Sequence, residues 1–188
     1  MDFTLNEQQT ELQRVSREFA QKEMVSVALE MEEKNIPLPK DWLKKYAEMG
    51  FLGINVGKKY GGLGLSNLEA LLVIEEFAKI SSAVAFPIFE SCVGPVKAIE
   101  HFANEDLKMR VIPEVCQGNI IIAVSMSEPN AGSALTDLTT KAEIQGDKIV
   151  INGTKRWCSG GGHSEGYVVY CKMSDAPGAK GIGAVYVE

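Results

Sequence analysis

The strongest constraint on the fold is a change in hydrophobic period near Gly118. Before this point, apolar residues recur at steps of three and four, which is typical of amphipathic helices. After it, short apolar runs alternate with glycine-containing turns, which indicates β-strands. We therefore predict an α+β chain, with an all-α N-terminal helical domain over residues 1–117 and an antiparallel β-sheet or barrel domain over residues 118–188.

Capping and breaking residues place the first helices. Thr4 and Glu7 have the spacing of a capping box and predict a helix that begins there and ends near Val25. Two prolines then break the chain, and a short helix is expected over residues 41–49. Gly50 is well placed to end that helix, because glycine readily adopts the left-handed conformation common just after a helix C-terminus.

A second capping box predicts the central helix of this domain. Ser66 and Glu69 precede a segment that is apolar on more than one face, which suits a helix surrounded by others. Further helices are predicted over residues 91–103 and 104–116. Residues 86–91 are expected to join two helices.

The second part of the chain contains at least five predicted strands. Gly146 and Asp147 favour a tight reversal between two of them, and Asn152 with Gly153 is a strong turn signal. We expect antiparallel strands to make up most of residues 120–188, and the predicted strands are 120–124, 141–145, 148–152, 154–159, 166–173 and 182–187.

Charge and composition exclude several classes of function. The formal net charge of −6 gives no general attraction to nucleic acid or to an anionic membrane surface. No apolar run approaches the ~20 residues of a membrane span, and the first residues lack the features of a secretory signal. The four cysteines are irregularly spaced without a CxxC pair. They indicate neither a disulfide framework nor a metal site, so we expect the protein to be located in a reducing cytoplasm.

A candidate ligand site lies where the first strand ends. Residues 120–124 are a continuous apolar run, and residues 125–133 then supply hydroxyls, a proline turn and a glycine. Hydroxyls and exposed backbone N–H groups in such a loop suit a polar, planar or anionic ligand. Taken alone, the loop fits an ordinary exit from a strand about equally well.

A second candidate element lies later in the predicted sheet. Trp157 and Ser159 are two residues apart, so a strand would place them on one face, just before glycines 160–162. A flat aromatic ligand would stack on the indole while the hydroxyl donates to one of its heteroatoms. The alternative interpretation is that Trp157 belongs to the sheet core and that the glycines form a flexible loop.

Together, these elements resemble the signature of the acyl-CoA dehydrogenases. The likeness covers the whole chain, and several motifs in matching order are far more specific than any one of them. Upstream, residues 60–64 and the helix with Glu75 and Glu76 are similar to that family's N-terminal domain. The motifs of the second part are Ser127-Glu128-Pro129-Asn130-Ala131-Gly132-Ser133, Gly146-Asp147, Asn152-Gly153-Thr154-Lys155 and Trp157-Cys158-Ser159.

The resemblance implies FAD as the cofactor and an acyl-CoA thioester as the substrate, bound among a helical domain, a middle β-domain and a C-terminal helical bundle. It implies that Ser127 hydrogen-bonds the pyrimidine part of the flavin and that Ser133 contacts substrate or cofactor phosphate. Trp157 is similar to the tryptophan beside the flavin ring, and Ser159 to the hydroxyl residue at N5, the atom that receives hydride. The implied cofactor-binding residues are Val124, Ser125, Met126, Ser127, Gly132, Ser133, Trp157, Cys158 and Ser159.

The reaction implied by the resemblance is α,β-dehydrogenation of the acyl-CoA to the enoyl-CoA, in fatty acid or aromatic acid degradation. Electrons would pass to an electron-transfer flavoprotein, and the family further implies a homo-oligomer, either a tetramer or a dimer. Alternatives are an acyl-CoA oxidase or a flavin monooxygenase of the same fold, or a flavin-free binding or scaffold protein. A flavin absorbance band and rapid reoxidation by O₂ discriminate among them.

Members of that family are roughly twice as long as this chain. We expect residues 1–188 to hold the N-terminal domain and an incomplete middle domain, without the C-terminal bundle. The family's catalytic base is a glutamate from that bundle, and the resemblance gives Glu128 no role in proton transfer. We therefore expect no catalytic base in this chain, and little or no activity from the 188-residue polypeptide alone.

Residues 86–91 lie, by the resemblance, in a region that lines the acyl pocket. Phe86 and Phe89 suit an apolar or ring-bearing acyl group. A carboxylate at Glu90 would disfavour a dicarboxylate substrate through like-charge repulsion. Packing in the core of the helical domain is the alternative interpretation of all three side chains.

Overall fold

The computed structural model describes residues 4–188, which form two compact units separated in sequence between Ile121 and Ile122. The predicted order of a helical part followed by a sheet part is confirmed. The helices are α1 (Glu7–Phe19), α2 (Val25–Lys34), α3 (Lys40–Glu48), α4 (Asn67–Ala78), α5 (Ser82–Cys92), α6 (Pro95–Phe102) and α7 (Glu105–Cys116). The strands are β1 (Ile122–Ser125), β2 (Lys141–Gln145), β3 (Lys148–Asn152), β4 (Gly166–Lys172) and β5 (Ile182–Val187).

The first helix begins two residues later than predicted. Its N-cap is Asn6, whose side chain accepts a hydrogen bond from the N–H of Gln9 at 2.8 Å. The Gln9 side chain accepts in return from the N–H of Asn6 at 3.1 Å. The capping box predicted at Thr4 and Glu7 is therefore wrong, because the Asn6 amide completes the reciprocal pair two positions downstream.

The helical path also continues past Val25, where it was predicted to end. A π-helical turn, Ala20–Met24, leads directly into α2, which stops only where Asn35 adopts the left-handed conformation with φ 50°. Val27 and Met31 are buried. They extend the apolar stripe by one more turn, and their burial favours the helix beyond the predicted end.

Four aromatic rings form the centre of the helical unit. The ring centroids of Tyr46 and Phe51 each lie 5.1 Å from that of Phe77 in edge-to-face geometry, and Phe19 packs against the same three rings. Tyr46 is completely buried, and its hydroxyl donates to the carbonyl of Val84 at 3.0 Å. Burial raises the pKa of the Tyr46 phenol well above its usual value, so the group stays neutral in the core.

The predicted ends of two further helices are confirmed by their caps. Gly50 follows α3 with φ 74°, in the left-handed region that terminates helices. Ser66 caps α4 and forms the reciprocal capping box with Glu69. The glycine stop and the capping box each depend on residues within four positions of one another, so the sequence alone predicts them.

Residues 86–91, predicted to join two helices, lie inside α5, so that prediction is wrong. Pro87 lacks a backbone N–H and therefore removes one hydrogen bond from the helix. Ile88 and Cys92 are fully buried on the same helix. Their burial outweighs the missing bond, and the helix passes through the proline rather than ending before it.

The stretch Ser82–Phe102, which comprises α5 and α6, has the length and apolar composition of a membrane span, although 56% of its most apolar part is buried inside the protein. Core helices of globular proteins meet the same criterion, so the feature is weak evidence for a membrane. Pro95 is the first residue of α6, a position where its missing N–H has no helical partner to lose.

The second unit is a mixed sheet rather than an antiparallel one. Strand β4 pairs in parallel with β1, from Ile122 opposite Gly166 to Ser125 opposite Val169, and antiparallel with β5 along its other edge. Strands β2 and β3 form the predicted hairpin, and β2 joins β4 through one parallel pair. The chain between β1 and β4 is long enough to return to the starting end of β1. Strand β4 can therefore run in the same direction as β1.

Residues 154–159, predicted as a strand, form an irregular segment instead. Trp157 has φ 60°, which no pleated strand accommodates, and only Arg156 contributes a backbone hydrogen bond to a neighbouring segment among the described residues. Loops make up a larger part of this unit than strands. The prediction that strands carry most of residues 120–188 is therefore wrong.

Candidate functional site

Two segments of the sheet unit, 125–128 and 155–158, run side by side. They are about thirty residues apart in sequence, and both belong to the elements that the sequence analysis singled out. Four hydrogen bonds join them: Ser125 Oγ to Cys158 Sγ at 3.3 Å, Arg156 N to Ser127 O at 2.9 Å, and Lys155 Nζ to Met126 O at 3.0 Å and to the Glu128 carboxylate at 2.9 Å. The structure thus brings the two candidate ligand elements together in one site.

The carboxylate of Glu128 is the anchor of the first segment. Its side chain is buried and accepts hydrogen bonds from the N–H of Thr139 at 2.6 Å, the hydroxyl of Thr139 at 2.8 Å and the N–H of Thr140 at 2.9 Å. Lys155 Nζ lies 2.9 Å from the same carboxylate. Burial by itself would raise the pKa of Glu128, but these donors outweigh it and hold the pKa well below its usual range.

A tight turn follows Glu128 and presents its tip to solvent. The N–H of Glu128 donates to the carbonyl of Ala131 at 2.9 Å, and the N–H of Ala131 donates back at 3.2 Å, so Pro129 and Asn130 project outward. Gly132 comes next, and a Cβ added there would meet no atom of the described residues within 4 Å. A ligand therefore has open access to the backbone at Gly132.

The predicted site residues differ in how they are exposed. Val124 and Ser125 belong to β1, and the Ser125 hydroxyl is buried and already bonded to Cys158, so it faces away from solvent. Met126, Ser127 and Cys158 are half-buried, whereas Gly132, Ser133, Trp157 and Ser159 are exposed. Among residues 4–188, the hydroxyls of Ser127, Ser133 and Ser159 have no hydrogen-bond partner, which leaves three donors for a ligand.

Trp157 is neither on a strand nor in the core. Its side chain is 77% exposed, and its backbone lies in the left-handed region, which is costly for a bulky residue. The guanidinium carbon of Arg156 lies 4.3 Å from the centre of the indole ring. The interpretation of Trp157 as sheet core is therefore wrong, and so is the expectation that Trp157 and Ser159 share a strand face.

The three glycines after Ser159 form an ordered turn rather than a flexible loop. The hydroxyl of Tyr167 accepts from the N–H of Gly162 at 3.1 Å and donates to the carbonyl of Gly160 at 3.2 Å. A Cβ on Gly160 would lie 2.1 Å from Ser164 Oγ, so only glycine fits there. Sequence reasoning missed Tyr167, because nothing within β4 signals a contact with the glycines.

Sequence reasoning also missed the role of Lys155. The residue belongs to one of the family-like motifs, but a lysine after a turn is ordinarily solvated, and nothing local indicated a buried carboxylate partner.

The four cysteines are free thiols. Over the described residues, no group of three or more His, Cys, Asp or Glu side chains has the arrangement of a metal site.

In the helical unit, the residues proposed for an acyl pocket lie on α5. Phe86 and Phe89 pack with ring centroids 5.4 Å apart, and Phe89 remains partly exposed. Glu90 is buried without a hydrogen-bond partner for its carboxyl in the part of the chain that the structure describes. Burial raises the pKa of Glu90 to about 8. The carboxyl is therefore mostly protonated at neutral pH, which removes the predicted charge repulsion.

Comparison with known proteins identifies the chain's relatives. Residues 6–119 match the protein-family model "Acyl-CoA dehydrogenase, N-terminal domain", and residues 123–188 match "Acyl-CoA dehydrogenase, middle domain". The chain belongs to the acyl-CoA dehydrogenase family. The resemblance drawn from the sequence motifs is thereby confirmed.

Two curated relatives of this acyl-CoA dehydrogenase family member show the range of chemistry nearby. Acryloyl-CoA reductase (NADH) of Anaerotignum propionicum is 34% identical over 100% of this chain and 48% of its own length. The mitochondrial isobutyryl-CoA dehydrogenase of Bos taurus is 35% identical over 98% of this chain and 44% of its own length. The chain thus spans about half the length of the curated relatives it matches.

Solved structures share the same architecture. A chain from work on the electron-transferring flavoprotein of Acidaminococcus fermentans superposes with a TM-score of 0.91 at 29% identity, over 100% of this chain and 49% of that one. The FAD complex of PigA gives a TM-score of 0.90 at 25% identity, over 100% and 49% of the two chains.

Proposed function

We propose that the enzyme containing this chain catalyses FAD-dependent α,β-dehydrogenation of an acyl-CoA thioester to the enoyl-CoA. One observation carries the proposal within the acyl-CoA dehydrogenase family. Two segments lie side by side and present an exposed tryptophan on a strained backbone together with hydroxyls that have no hydrogen-bond partner among the described residues. Strained, exposed aromatic residues are characteristic of ligand sites rather than of packing.

The site's chemistry fits a flavin. The exposed indole of Trp157 offers a flat apolar face, the open backbone at Gly132 permits close approach, and Ser127 and Ser159 supply donors for ring heteroatoms. FAD, when bound, is the acceptor of the substrate's β-hydride. The structural similarity of this chain to PigA, whose structure is an FAD complex, supports FAD as the cofactor of the present protein.

Each residue then has a stated part. We propose that Ser127 binds the pyrimidine portion and that Ser159 donates to the region of N5, where a preorganised donor stabilises negative charge as it develops. Trp157 would cover the ring and exclude water. Ser133, exposed beyond the turn, is proposed to contact substrate or cofactor phosphate. Val124, Ser125, Met126, Gly132 and Cys158 would shape the backbone around the cofactor.

The α-proton base is proposed to come from outside these residues. A base must have a free carboxylate within reach of the α-carbon. Glu128 is bonded to Thr139, Thr140 and Lys155 and has no free acceptor directed outward. The proposal that a further part of the enzyme supplies the base agrees with the length of the relatives.

We propose that electrons pass to an electron-transfer flavoprotein, and similarity to a chain from structural work on such a flavoprotein supports this. A homo-oligomer, a cytoplasmic location and a domain boundary after residue 117 also stay predictions. The reductase among the relatives gives a second candidate, in which an enoyl-CoA is reduced.

The experiment is a spectroscopic and kinetic screen of the purified holoenzyme. We expect a flavin absorbance band that bleaches on addition of one of a set of short, branched, aromatic or dicarboxylic CoA thioesters, with turnover supported by an artificial electron acceptor. Rapid reoxidation by O₂ would instead indicate an oxidase or monooxygenase. Consumption of NADH with an enoyl-CoA would indicate a reductase. A colourless protein would leave only a flavin-free binding or scaffold role.

A further inference from the structure

The ion pair of Glu128 and Lys155 in the sheet unit is almost fully enclosed. The Lys155 side chain is 12% exposed and that of Glu128 is 3% exposed. The ammonium has two acceptors, the Glu128 carboxylate at 2.9 Å and the Met126 carbonyl at 3.0 Å. Burying such a pair is unfavourable unless its remaining hydrogen bonds are satisfied, and here the carboxylate is also bonded to two threonines.

The pair sits between the residues proposed to contact FAD. Glu128 follows Ser127, and Lys155 precedes Trp157 by two positions. Arg156 N donates to Ser127 O at 2.9 Å, which is the one backbone hydrogen bond between these segments in the described part of the chain. One backbone bond does not define a register in the way a strand ladder does. Of the other three hydrogen bonds between the segments, Lys155 donates two, to the Met126 carbonyl and to the Glu128 carboxylate, and Ser125 donates the third, to Cys158.

The carboxylate also connects this site to the sheet. Glu128 accepts from the N–H of Thr140, and the carbonyl of Thr140 accepts from the N–H of Lys172 on β4 at 2.7 Å. A displacement of the turn after Ser127 would break these bonds in succession. The loop is thus tied on one side to the sheet and on the other to the Trp157 segment.

We propose that Glu128 and Lys155 are positioning residues for the flavin site, an inference that rests on the proposed function. Their ion pair sets the register between the Ser127 turn and the Trp157 segment. Two apolar side chains of similar volume in place of Glu128 and Lys155 would fill the same space at no cost in stability. The specific contribution of the charges is therefore the placement of the hydroxyl and the indole relative to each other.

The test compares the holoenzyme with the double variant Glu128→Gln/Lys155→Met. The double variant leaves no unpaired buried charge, but glutamine has one acceptor oxygen for the N–H groups of Thr139 and Thr140. Lys155→Met alone, which keeps the Thr139 and Thr140 donors on the Glu128 carboxylate, is therefore measured beside it, and far-ultraviolet circular dichroism checks the fold of both variants. We expect FAD to dissociate at least tenfold more readily, the visible circular dichroism of bound flavin to change, and flavin reduction in stopped flow to slow by a similar factor. Lys155→Arg, which keeps the charge, should recover part of the loss.

A matched control lies in the helical unit, where Glu76 has a 1% exposed side chain and pairs with Arg17 at 3.0 Å. The variant Arg17→Met/Glu76→Gln should change thermal stability without changing the circular dichroism of bound flavin. Equal FAD dissociation, spectrum and reduction rate in wild type and the Glu128→Gln/Lys155→Met variant would overturn the positioning role alone. A wild-type holoenzyme without flavin would overturn the proposed function and this inference together.

Discussion

At the scale of single residues, Trp157 and Glu128 show how environment assigns roles within one site. Trp157 is the bulkiest side chain of the segment and yet is 77% exposed, and its backbone lies in the costly left-handed region. A strain of about 1 to 3 kcal/mol is tolerated only where surrounding contacts impose it. Glu128, an acidic residue in a ligand loop, is instead enclosed by donors. We therefore propose that the exposed indole of Trp157 binds a ligand and that the buried carboxylate of Glu128 holds the loop in place.

The hydroxyl of Ser159 gives the first prediction. In the holoenzyme, Ser159→Ala should slow flavin reduction by about 10²- to 10³-fold, because one preorganised donor at a developing charge contributes roughly 2.7 to 4 kcal/mol. Ser159 is exposed, so its loss should leave the unfolding transition unchanged. Stopped-flow absorbance measures the reduction rate. The exposed Ser174→Ala serves as control, and an unaltered rate in Ser159→Ala would show that this hydroxyl does not face N5.

Glu90 gives a pH-dependent prediction. Its pKa in the folded protein is raised by burial to about 8, so between the unfolded-state value near 4.5 and pH 8 the folded chain binds the extra proton. This carboxyl therefore makes the free energy of unfolding fall as pH rises through that window. Glu90→Gln should remove this slope and stabilise the protein at pH 8 by on the order of a few kcal/mol, with little gain at pH 4.5.

Urea unfolding at several pH values checks this prediction. Glu114→Gln, a change at a partly exposed carboxylate of α7, is a suitable comparison because it lies on the same unit but is not enclosed. If Glu90→Gln kept the wild-type slope between pH 5 and pH 8, the carboxyl would be solvated in the folded state.

At the scale of elements, hydrogen bonds from one strand order a turn next to it. Strand β4 carries Tyr167, whose hydroxyl bonds both Gly160 and Gly162 and so closes the turn that follows Ser159. Glycine permits this close approach because it has no Cβ. A turn of three glycines would otherwise lose the most conformational entropy on ordering. The two hydrogen bonds from Tyr167 on β4 thus offset part of the entropy lost when the glycine turn is ordered.

Tyr167→Phe tests this arrangement. The loss of two hydrogen bonds should reduce the free energy of unfolding by about 1 kcal/mol and raise amide hydrogen exchange in residues 160–164, while the β2–β3 hairpin stays protected. Mass spectrometry of exchange by peptide gives the comparison. Tyr170→Phe, on the same strand, has no hydroxyl bond to lose within the described residues and should match wild type. Equal exchange in both variants would show that the glycine turn is ordered by other contacts.

At the scale of the whole molecule, we propose that the described chain holds cofactor contacts and that another part of the enzyme supplies the α-proton base. Glu128, the acid next to the proposed cofactor contacts, is bonded to Thr139, Thr140 and Lys155, and Glu76 is paired with Arg17 and Lys79. Binding and proton transfer are therefore expected to depend on different parts of the enzyme. The relatives, of which this chain matches about half, are consistent with that division.

The 188-residue chain with added FAD and an artificial electron acceptor should accordingly give little or no turnover of any acyl-CoA. The reason is that the proposed α-proton base lies outside residues 4–188. Initial rates with the substrate panel of the holoenzyme provide the measurement, and free FAD is the blank. Turnover above the blank would contradict the assignment, and Glu90→Gln or Glu128→Gln would then identify the acid responsible.

What the sequence alone determined is local or motif-based. The caps at Ser66 and Gly50, the hairpin of β2 and β3, and the order of helices before strands follow from signals within a few residues. Family membership follows from several short motifs in order, and the individual cofactor contacts at Ser127, Ser133 and Ser159 stay predictions.

Only the tertiary structure decided how distant segments meet. The strand predicted over residues 154–159 is an irregular segment because Arg156 bonds Ser127 and Trp157 leaves the extended conformation. Lys155 reaches Glu128, and Tyr167 reaches Gly160, across stretches of chain that no local pattern connects. The physical reason is that hydrophobic period and turn chemistry act along the chain. A buried charge or hydroxyl instead takes whichever partner the fold brings within about 3 Å.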